Sequence, residues 1–469
     1  MLPQLRQLEA KYPQELVVVG VHAGKYTAER LTANVRDAVL RLGIDHPVVN
    51  DRFFRVWKGF TVNAWPTVVL VDPRGYYMGS QPGEITFADF DPIVGQAIAH
   101  YDSRGLLDRR PLLTHPEHLD EPARPLCYPG KVLATAGIAG APGRLFIADS
   151  DHHRVIGARL TADGQTADVD WIAGTGAAGL AGGSFATARF ARPQGMALVD
   201  ETLYVADSEN HAVRALDLGS RQVTTVAGTG EIGAARTGGA AIATALNSPW
   251  DLTWVGSKLY IAMAGYHQLW VYDPAAGTVL PYAGTGREAL ADGRVWAADL
   301  TRARTMSDLV GYASLAQPTG LATDGAQLYF ACSEAQAIRR APLDGGAVQT
   351  LVGTGLFDFA DQDGVGDAVR LQHPFGVACY QGRLLVADTY NSKIKWLDSA
   401  TRTVTTWLGG DSRGLVDGPA AAARFNEPEG LSVAGDRLYI ADTNNHAIRV
   451  VDLAGGDGRV ATVEVRGLG

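Results

Sequence analysis

The sequence predicts two folded regions, an α/β domain followed by an all-β propeller of six blades. A strand of the type Leu-Tyr-Val-Ala-Asp recurs six times, and the last residues of successive copies lie 54 to 69 residues apart. Each unit therefore has room for about four short strands, as a propeller blade requires. The first hundred residues lack this repeat and alternate between helical and extended patterns.

The N-terminal region, residues 1–103, opens with an amphipathic helix that is followed by an apolar run over residues 16–21. A second helix carries Val35, Val39 and Leu42 on one face and ends at Gly43. A third helix, near residues 53–58, leads to Trp65-Pro66-Thr67 and a strand over 67–71. A further strand and a last helix complete an alternating α/β order.

Residues 104–127 are rich in Pro, Arg, His and Asp and are predicted to form a linker. The propeller is predicted over residues 128–466. Its second unit shows the strand order best, over residues 193–199, 203–207, 212–217 and 223–230. A single blade cannot bury both of its faces, so six must pack radially. We expect the last blade to take its fourth strand from residues 463–465.

Two motifs carry a family resemblance. Ala-x-Phe-x-x-Pro-x-Gly occurs at residues 188–195 and 423–430, and Tyr-x-Ala-Asp-x-x-Asn-His-x-x-Arg at 204–214 and 439–449. Together they resemble NHL repeats, which form propellers, typically of six blades, that bind protein or RNA partners. The repeated strand ends in Met263 and Cys332 rather than Asp in two blades, which puts blade-specific function in doubt but not the fold.

The N-terminal region resembles the thioredoxin fold. In that family a cis proline faces the redox site, and the resemblance places Trp65, Pro66 and Thr67 in the wall of that site. The order of the two regions, with Gly20-Val21-His22 and the segment 46–51, resembles the NHL repeat-containing thioredoxin-like family, of the NHL repeat-containing protein 2 type. The fold class is therefore an incomplete thioredoxin-like domain followed by a six-bladed NHL β-propeller.

The domain is expected to be incomplete because the family's Cys-x-x-Cys places its second cysteine five residues before a helix proline, here Pro3. Both cysteines and the preceding central strand would then lie upstream of Met1, so the chain would be truncated and would contain no catalytic residue. The strands over 16–21 and 67–71 would lack their common neighbour. The three cysteines present, Cys127, Cys332 and Cys379, do not have this spacing and are expected to be bystanders.

Two repeated residue types invite a functional interpretation. Histidines follow the end of the repeated strand by four residues in four blades, so a metal ring is an alternative to turn structure. Turn structure is favoured, because Asp and Asn side chains at such turns bond to their own backbone. We expect no metal and no cofactor. The turn-supporting residues are Asp149, His153, Asp207, His211, His267, Asp388, Asp442 and His446.

The link between the third and fourth blades is the longest. From Gly286 to Pro318 is 32 residues, against 17 to 19 in equivalent links. Loops of this length are commonly functional or disordered, so a binding insert and a solvated excursion both remain open. The candidate binding residues are Arg287, Arg294, Trp296, Arg302, Arg304 and Tyr312. Asp361, Asp363 and Asp367 resemble a calcium loop, although an ordinary interblade loop is favoured.

A net charge of −9 argues against a nucleic-acid partner. No long apolar run or leader is visible, which predicts a cytoplasmic protein without a membrane partner. The sequence therefore predicts a propeller that binds a protein partner and a thioredoxin-like domain linked to thiol–disulfide redox in the full-length form. The alternatives are a non-catalytic interaction scaffold and a metal-dependent propeller hydrolase or lyase.

Overall fold

The structure, a computed structural model, describes residues 1–110, 112, 115–137, 142–234, 237–295, 306–455 and 458–468. The chain divides into two compact units, residues 1–123 and 124–469. The last four residues of the predicted linker therefore belong to the second unit, in which Leu126 is buried in the core.

The first unit has the alternating order of helices and strands that the sequence predicts. Its elements are α1 (Leu2–Lys11), β1 (Gly20–His22), α2 (Thr32–Arg41), β2 (Val48–Asn50), α3 (Arg55–Gly59), β3 (Thr67–Val71), β4 (Tyr77–Pro82) and α4 (Phe87–Asp102). A small core lies between α1 and α4, where Leu8, Ile85 and Val94 are buried.

The strands of the first unit form two separate pairs. β1 pairs in parallel with β2, and β3 pairs antiparallel with β4. Among the described residues of this unit no ladder joins the two pairs, so β1 and β3 have no common neighbour, as the sequence predicts. The predicted strand over 16–21 was wrong in extent, because only Gly20–His22 finds a partner strand.

The second unit contains six antiparallel sheets, one for each repeat, and this confirms the six-bladed propeller. The strands are given from the inner one outward. Blade 1 consists of β5 (Pro129–Thr135), β6 (Arg144–Asp149), β7 (Arg154–Leu160) and β8 (Thr166–Ala173); blade 2 of β10 (Pro193–Val199), β11 (Thr202–Asp207), β12 (Ala212–Asp217) and β13 (Gln222–Ala227); and blade 3 of β15 (Pro249–Val255), β16 (Lys258–Met263), β17 (Gln268–Asp273) and β18 (Thr278–Ala283). Blade 4 consists of β20 (Pro318–Thr323), β21 (Gln327–Cys332), β22 (Ala337–Pro342) and β23 (Ala347–Val352); blade 5 of β25 (Gly376–Tyr380), β26 (Arg383–Asp388), β27 (Lys393–Asp398) and β28 (Thr403–Leu408); and blade 6 of β29 (Pro428–Ala434), β30 (Arg437–Asp442), β31 (Ala447–Asp452) and β32 (Val460–Thr462).

Short extra strands extend the outer edges of blades 2 to 5. Each has two residues and comes from the loop that precedes its blade: β9 (Gly183–Ser184), β14 (Gly239–Ala240), β19 (Gly293–Arg294) and β24 (Gly364–Val365). They pair antiparallel with the fourth strands of those blades.

The ring is closed, and the C-terminal segment contributes to its closure. Each inner strand packs against the inner strands of both neighbouring blades, including β29 of the sixth blade against β5 of the first. The expected fourth strand over 463–465 was wrong, because β32 ends at Thr462. The next segment, β33 (Glu464–Arg466), instead pairs in parallel with β8 of the first blade. Blade 1 thus receives from the C-terminal segment the edge strand that blades 2 to 5 take from their preceding loops.

Candidate functional site

The repeated aspartates end the second strand of their blades and accept hydrogen bonds within a buried cluster. In blade 2, Asp207 Oδ1 accepts from the Ala191 N–H at 2.7 Å, and its Oδ2 accepts from Asn210 Nδ2 and Arg214 Nη1, each at 2.8 Å. Arg214 lies 5.2 Å from the centre of the Phe190 ring. Burial raises the pKa of Asp207 to about 6, which leaves the carboxylate mainly ionised at pH 7 opposite the guanidinium.

The same cluster recurs with different cations. In blade 6, Asp442 Oδ2 accepts from Asn445 Nδ2 at 2.8 Å and from Arg449 Nη1 at 2.7 Å. In blade 5, Asp388 lies 3.3 Å from Lys395 Nζ. Blade 1 pairs Asp149 with Arg154 at 2.7 Å. A cation thus accompanies every one of the four buried aspartates, as buried carboxylates require.

Blades 3 and 4 lack the aspartate and compensate in different ways. In blade 3, Met263 replaces the aspartate and Trp270 takes the place of the arginine, so no charge is buried at this point. In blade 4, Cys332 replaces the aspartate but Arg339 is kept, fully buried. Arg339 donates instead to the Ser314 carbonyl oxygen at 2.7 Å and to Asp292 at 2.9 Å.

The four histidines connect neighbouring blades. All four have left-handed backbone conformations, with φ between 48° and 54°. The Nδ1 atom of His446 accepts from the backbone N–H of Tyr128, and this bond of 3.2 Å crosses the junction between the last blade and the first. The other three accept equivalent bonds from the residue before the inner-strand proline of the next blade, His153 from Arg192, His211 from Ser248 and His267 from Gln317.

The remaining two blades make the same connection with other acceptors. Gln336 Oε1 accepts from the His373 N–H at 2.8 Å, and Ser392 Oγ accepts from the Glu427 N–H at 3.3 Å. The shared feature at this position is therefore a side-chain acceptor for a backbone N–H of the next blade. Within the described ranges, no group of three or more His, Cys, Asp or Glu side chains is placed to hold a metal ion.

The acidic loop of blade 5 uses its carboxylates within the fold. Asp361 accepts from Lys395 Nζ at 2.7 Å, and Asp363 accepts from the Thr406 N–H at 2.7 Å. Asp367 pairs with Arg402 at 2.6 Å. These bonds are typical of an interblade loop that is fastened to its own blade.

Part of the long insert packs against its blade. The guanidinium of Arg294 lies 4.3 Å from the centre of the Tyr312 ring, and Tyr312 is 9% exposed. The backbone N–H of Arg287 donates to Thr285 Oγ1 at 3.4 Å. The other three candidates, Trp296, Arg302 and Arg304, lie outside the described residues.

The three residues predicted to form the redox-site wall lie at the start of β3. The Trp65–Pro66 peptide bond is cis, as the resemblance implies. Trp65 Nε1 donates to the Ala23 carbonyl oxygen at 2.8 Å, and Thr67 Oγ1 donates to the Ala64 carbonyl oxygen at 2.7 Å. The Trp65 ring is 4.4 Å from the Trp57 ring. Sequence reasoning missed this second tryptophan, because the partners of a short helix depend on tertiary packing.

Comparisons with known proteins agree with this construction. A model of the NHL repeat matches residues 190–216 and 425–451. The chain is 39% identical to Protein SUPPRESSOR OF QUENCHING 1, chloroplastic, of Arabidopsis thaliana, over 100% of this chain and 44% of that protein. It is 37% identical to NHL repeat-containing protein 2 of Bos taurus, over 97% of this chain and 64% of that protein. The chain belongs to the NHL repeat-containing protein 2 family.

The chain spans less than two thirds of the length of these curated relatives. The two segments that match the NHL model are those of blades 2 and 6, which contain the complete set of Asp, Asn, His and Arg at the turn between the second and third strands. Among solved structures, a chain of the nidogen/laminin complex is 15% identical with a TM-score of 0.44, covering 68% of this chain and 92% of that chain. That similarity is too distant to bear on function.

The cysteines of this NHL protein are poor nucleophiles. Cys332 is fully buried, and Cys127 and Cys379 are half-buried. Burial raises the pKa of Cys127 and of Cys379 to about 12, and it also raises the pKa of Cys332. A reactive cysteine needs a lowered pKa, so burial shifts all three thiols in the direction that disfavours the reactive thiolate. In the part of the chain that the structure describes, no helix has the length and apolar character of a membrane span.

Proposed function

We propose that the propeller binds a protein partner through one end of its ring, which we call the loop face. The four strands of a blade run antiparallel from the inside outward, so the inner strand begins at the end where the fourth strand finishes. The two ends of each interblade loop and the turns that carry the histidines therefore lie together at this end. The loop face is the end at which the inner strands begin.

Exposed apolar side chains on the interblade loops carry this proposal. Leu180, Ile232, Phe357 and Leu415 lie in four such loops and are 39%, 47%, 69% and 52% exposed. Single exposed apolar residues are ordinary, but a repeated series at one end of a ring favours a protein-binding surface. The long insert is the link between blades 3 and 4, and its residues Arg287, Trp296, Arg302 and Arg304 remain proposed contacts on the sequence pattern alone.

The experiment is partner capture with the full chain and two matched variants. Phe357→Ser with Leu415→Ser removes apolar area from the loop face, whereas Leu280→Ser removes an exposed leucine, 42% exposed, from the outer strand β18. Burial of each side chain in an interface is worth about 1.5–3 kcal/mol. We expect recovery of a partner to fall at least about tenfold with the double variant and less than about twofold with Leu280→Ser. Equal recovery with all three proteins would refute the proposal.

We further propose that residues 1–103 form a thioredoxin-like domain, with Trp65, Pro66 and Thr67 in the wall of its substrate site. The order of helices and strands supports this assignment. The separation of β1 from β3 also supports it, because a strand bound between them would unite the two pairs into one sheet. Val17, Val19 and Val21, in and before β1, are exposed, as the edge of such a gap would require.

The redox half of the proposal concerns a longer form of the protein that carries a Cys-x-x-Cys. Insulin-reduction assays test it: we expect no activity from this chain and measurable activity from such a form. An inactive form that does carry the dithiol would favour the non-catalytic scaffold, which is our second candidate and is compatible with the apolar loop face. A cytoplasmic location is part of the proposal. No observation favours the metal-dependent hydrolase or lyase.

A further inference from the structure

The mouth of the propeller channel is lined by the residues that follow the inner-strand prolines. These residues occupy equivalent positions in six strands that close into a ring, so they lie at one level around the channel, at the loop face. From blade 1 to blade 6 they are Gly130, Gln194, Trp250, Thr319, Phe375 and Glu429. Gly130 leaves space that the side chain of Gln194 occupies.

One residue further along, an ion pair crosses the channel. Lys131 Nζ donates to Asp251 Oδ2 at 3.2 Å and to the carbonyl oxygens of Thr319 and Phe375 at 2.8 and 3.1 Å. The ammonium therefore has three acceptors from three other blades. Because Asp251 balances its charge, the pair adds no net charge to the channel beneath the mouth.

Two buried polar atoms at the mouth lack partners. Gln194 is 4% exposed, and its Oε1 atom has no hydrogen-bond partner among the described residues. Trp250 Nε1 in the neighbouring blade also has no hydrogen-bond partner among the described residues. A buried polar group without a partner costs about 1–3 kcal/mol. One acceptor and one donor are thus available to a ligand at adjacent positions of the ring.

Aromatic rings form one wall of the mouth. The Trp250 ring lies 5.9 Å from the Phe375 ring, measured between centroids. His373 lies 4.9 Å from Phe375 and stacks on Tyr390 at 4.5 Å. Trp250 and Phe375 are half-buried, so their rings reach the surface of the loop face.

Carboxylates also lie around the mouth. Glu429 lies in the ring of lining residues, and Glu427 precedes the inner-strand proline of the same blade. Glu334 lies 3.8 Å from His373 Nδ1. Glutamates beside aromatic faces favour a cationic ligand.

We propose that the channel mouth binds an arginine side chain of the protein partner. A guanidinium is planar, stacks on aromatic rings and presents several donors at once, which Gln194 Oε1 and the carboxylates can accept. The indole N–H of Trp250 then donates to a backbone carbonyl of the same peptide. This inference rests on the proposed binding of a protein at the loop face and names the group that the mouth recognises.

Nuclear magnetic resonance of the full chain labelled with ¹⁵N-tryptophan tests this proposal. The indole signal of Trp250 is assigned with Trp250→Phe and followed during titration with Nα-acetyl-arginine methylamide. The matched probe is the citrulline analogue, which has the same shape without the charge. Trp254, whose indole already donates to the Gly256 carbonyl oxygen, is an internal reference.

We expect a saturable shift of the Trp250 signal with the arginine probe, at a concentration at least about tenfold below that needed with citrulline. Gln194→Leu and, separately, Glu429→Gln should weaken the response severalfold while Trp254 stays unmoved. An unmoved Trp250 signal, or equal responses to both probes, overturns the proposal. If Phe357→Ser with Leu415→Ser abolishes partner capture but Gln194→Leu does not, the loop face stands and the arginine site fails.

Discussion

The bond between His446 and Tyr128 joins the last blade to the first, and its removal should destabilise the ring. In His446→Leu the buried N–H of Tyr128 loses the acceptor that His446 provides at the junction. An unsatisfied buried donor costs about 1–3 kcal/mol, so we expect the free energy of unfolding to fall by about 2 kcal/mol at pH 7. His446→Gln is the matched control, because Gln336 makes the equivalent bond in blade 4 with nearly the same φ. It should cost less than about 0.5 kcal/mol.

The same bond makes the stability of the ring depend on pH. Burial lowers the pKa of His446 from 6.5 to about 4, so the folded protein binds the proton less readily than the unfolded chain. The contribution is therefore complete above pH 6.5 and is lost as the pH falls towards 4. A pKa difference of this size corresponds to about 3 kcal/mol. Because the imidazole is only partly buried, we expect about half of that amount.

Urea denaturation followed by tryptophan fluorescence at pH 7.0, 5.5 and 4.5 measures both effects. Wild type should lose about 1.5 kcal/mol more than His446→Gln between pH 7.0 and 4.5. His446→Leu should have a lower free energy of unfolding than both wild type and His446→Gln at pH 7.0. The reasoning would be refuted if His446→Leu were as stable as wild type at pH 7.0, or if His446→Gln kept the full pH dependence.

Three further predictions follow from the buried charges and thiols. Cys332→Asp should leave the free energy of unfolding unchanged or raise it by up to about 1 kcal/mol, because Arg339 lies beside the new carboxylate. Met263→Asp should lower it by about 3 kcal/mol or more, because Trp270 stands in place of the arginine in that blade. Thermal unfolding of the two variants compares these effects. Lys131→Met should lower the free energy of unfolding by about 3–5 kcal/mol, because it leaves Asp251 without a cation. Adding Asp251→Gly, which introduces the glycine that four other blades have at this position, should recover at least half of that loss. A double-mutant cycle in urea measures both effects, and additive losses would contradict the prediction. The cysteines should react with a disulfide reagent at pH 8 only after denaturation, and rapid reaction of the native protein would show that a thiol is activated.

Much of the propeller could be predicted from the sequence because each blade repeats the chemistry of its own turns. In blade 2 the predicted inner strand over 193–199 and the third strand over 212–217 agree with β10 and β12. The C-terminal strand could not be predicted, because a repeat pattern does not reveal that the last segment crosses to blade 1. The short extent of β1 has a similar cause, since a strand needs a partner that local pattern does not supply.

The candidate site was less predictable than the fold. The sequence showed that the four histidines occupy equivalent turns. It could not show that the Nδ1 atom of each histidine accepts a hydrogen bond from the next blade. The Lys131–Asp251 pair across the channel was missed as well. A signal for it was present, because both residues replace the glycine that follows Pro-x in the other four blades. The partners of a channel-lining residue lie far away in sequence, so only the closed ring brings them together.

Site-specific photo-crosslinking tests the binding function of the loop face most directly. A benzophenone amino acid at position 357 and, in a matched protein, at position 280 places the same probe on the loop face and on the outer edge of blade 3. We predict that a defined partner protein is crosslinked from position 357 and not from position 280, and that Leu415→Ser reduces its yield. Crosslinking from position 280 alone, or equally from both, would contradict binding at the loop face.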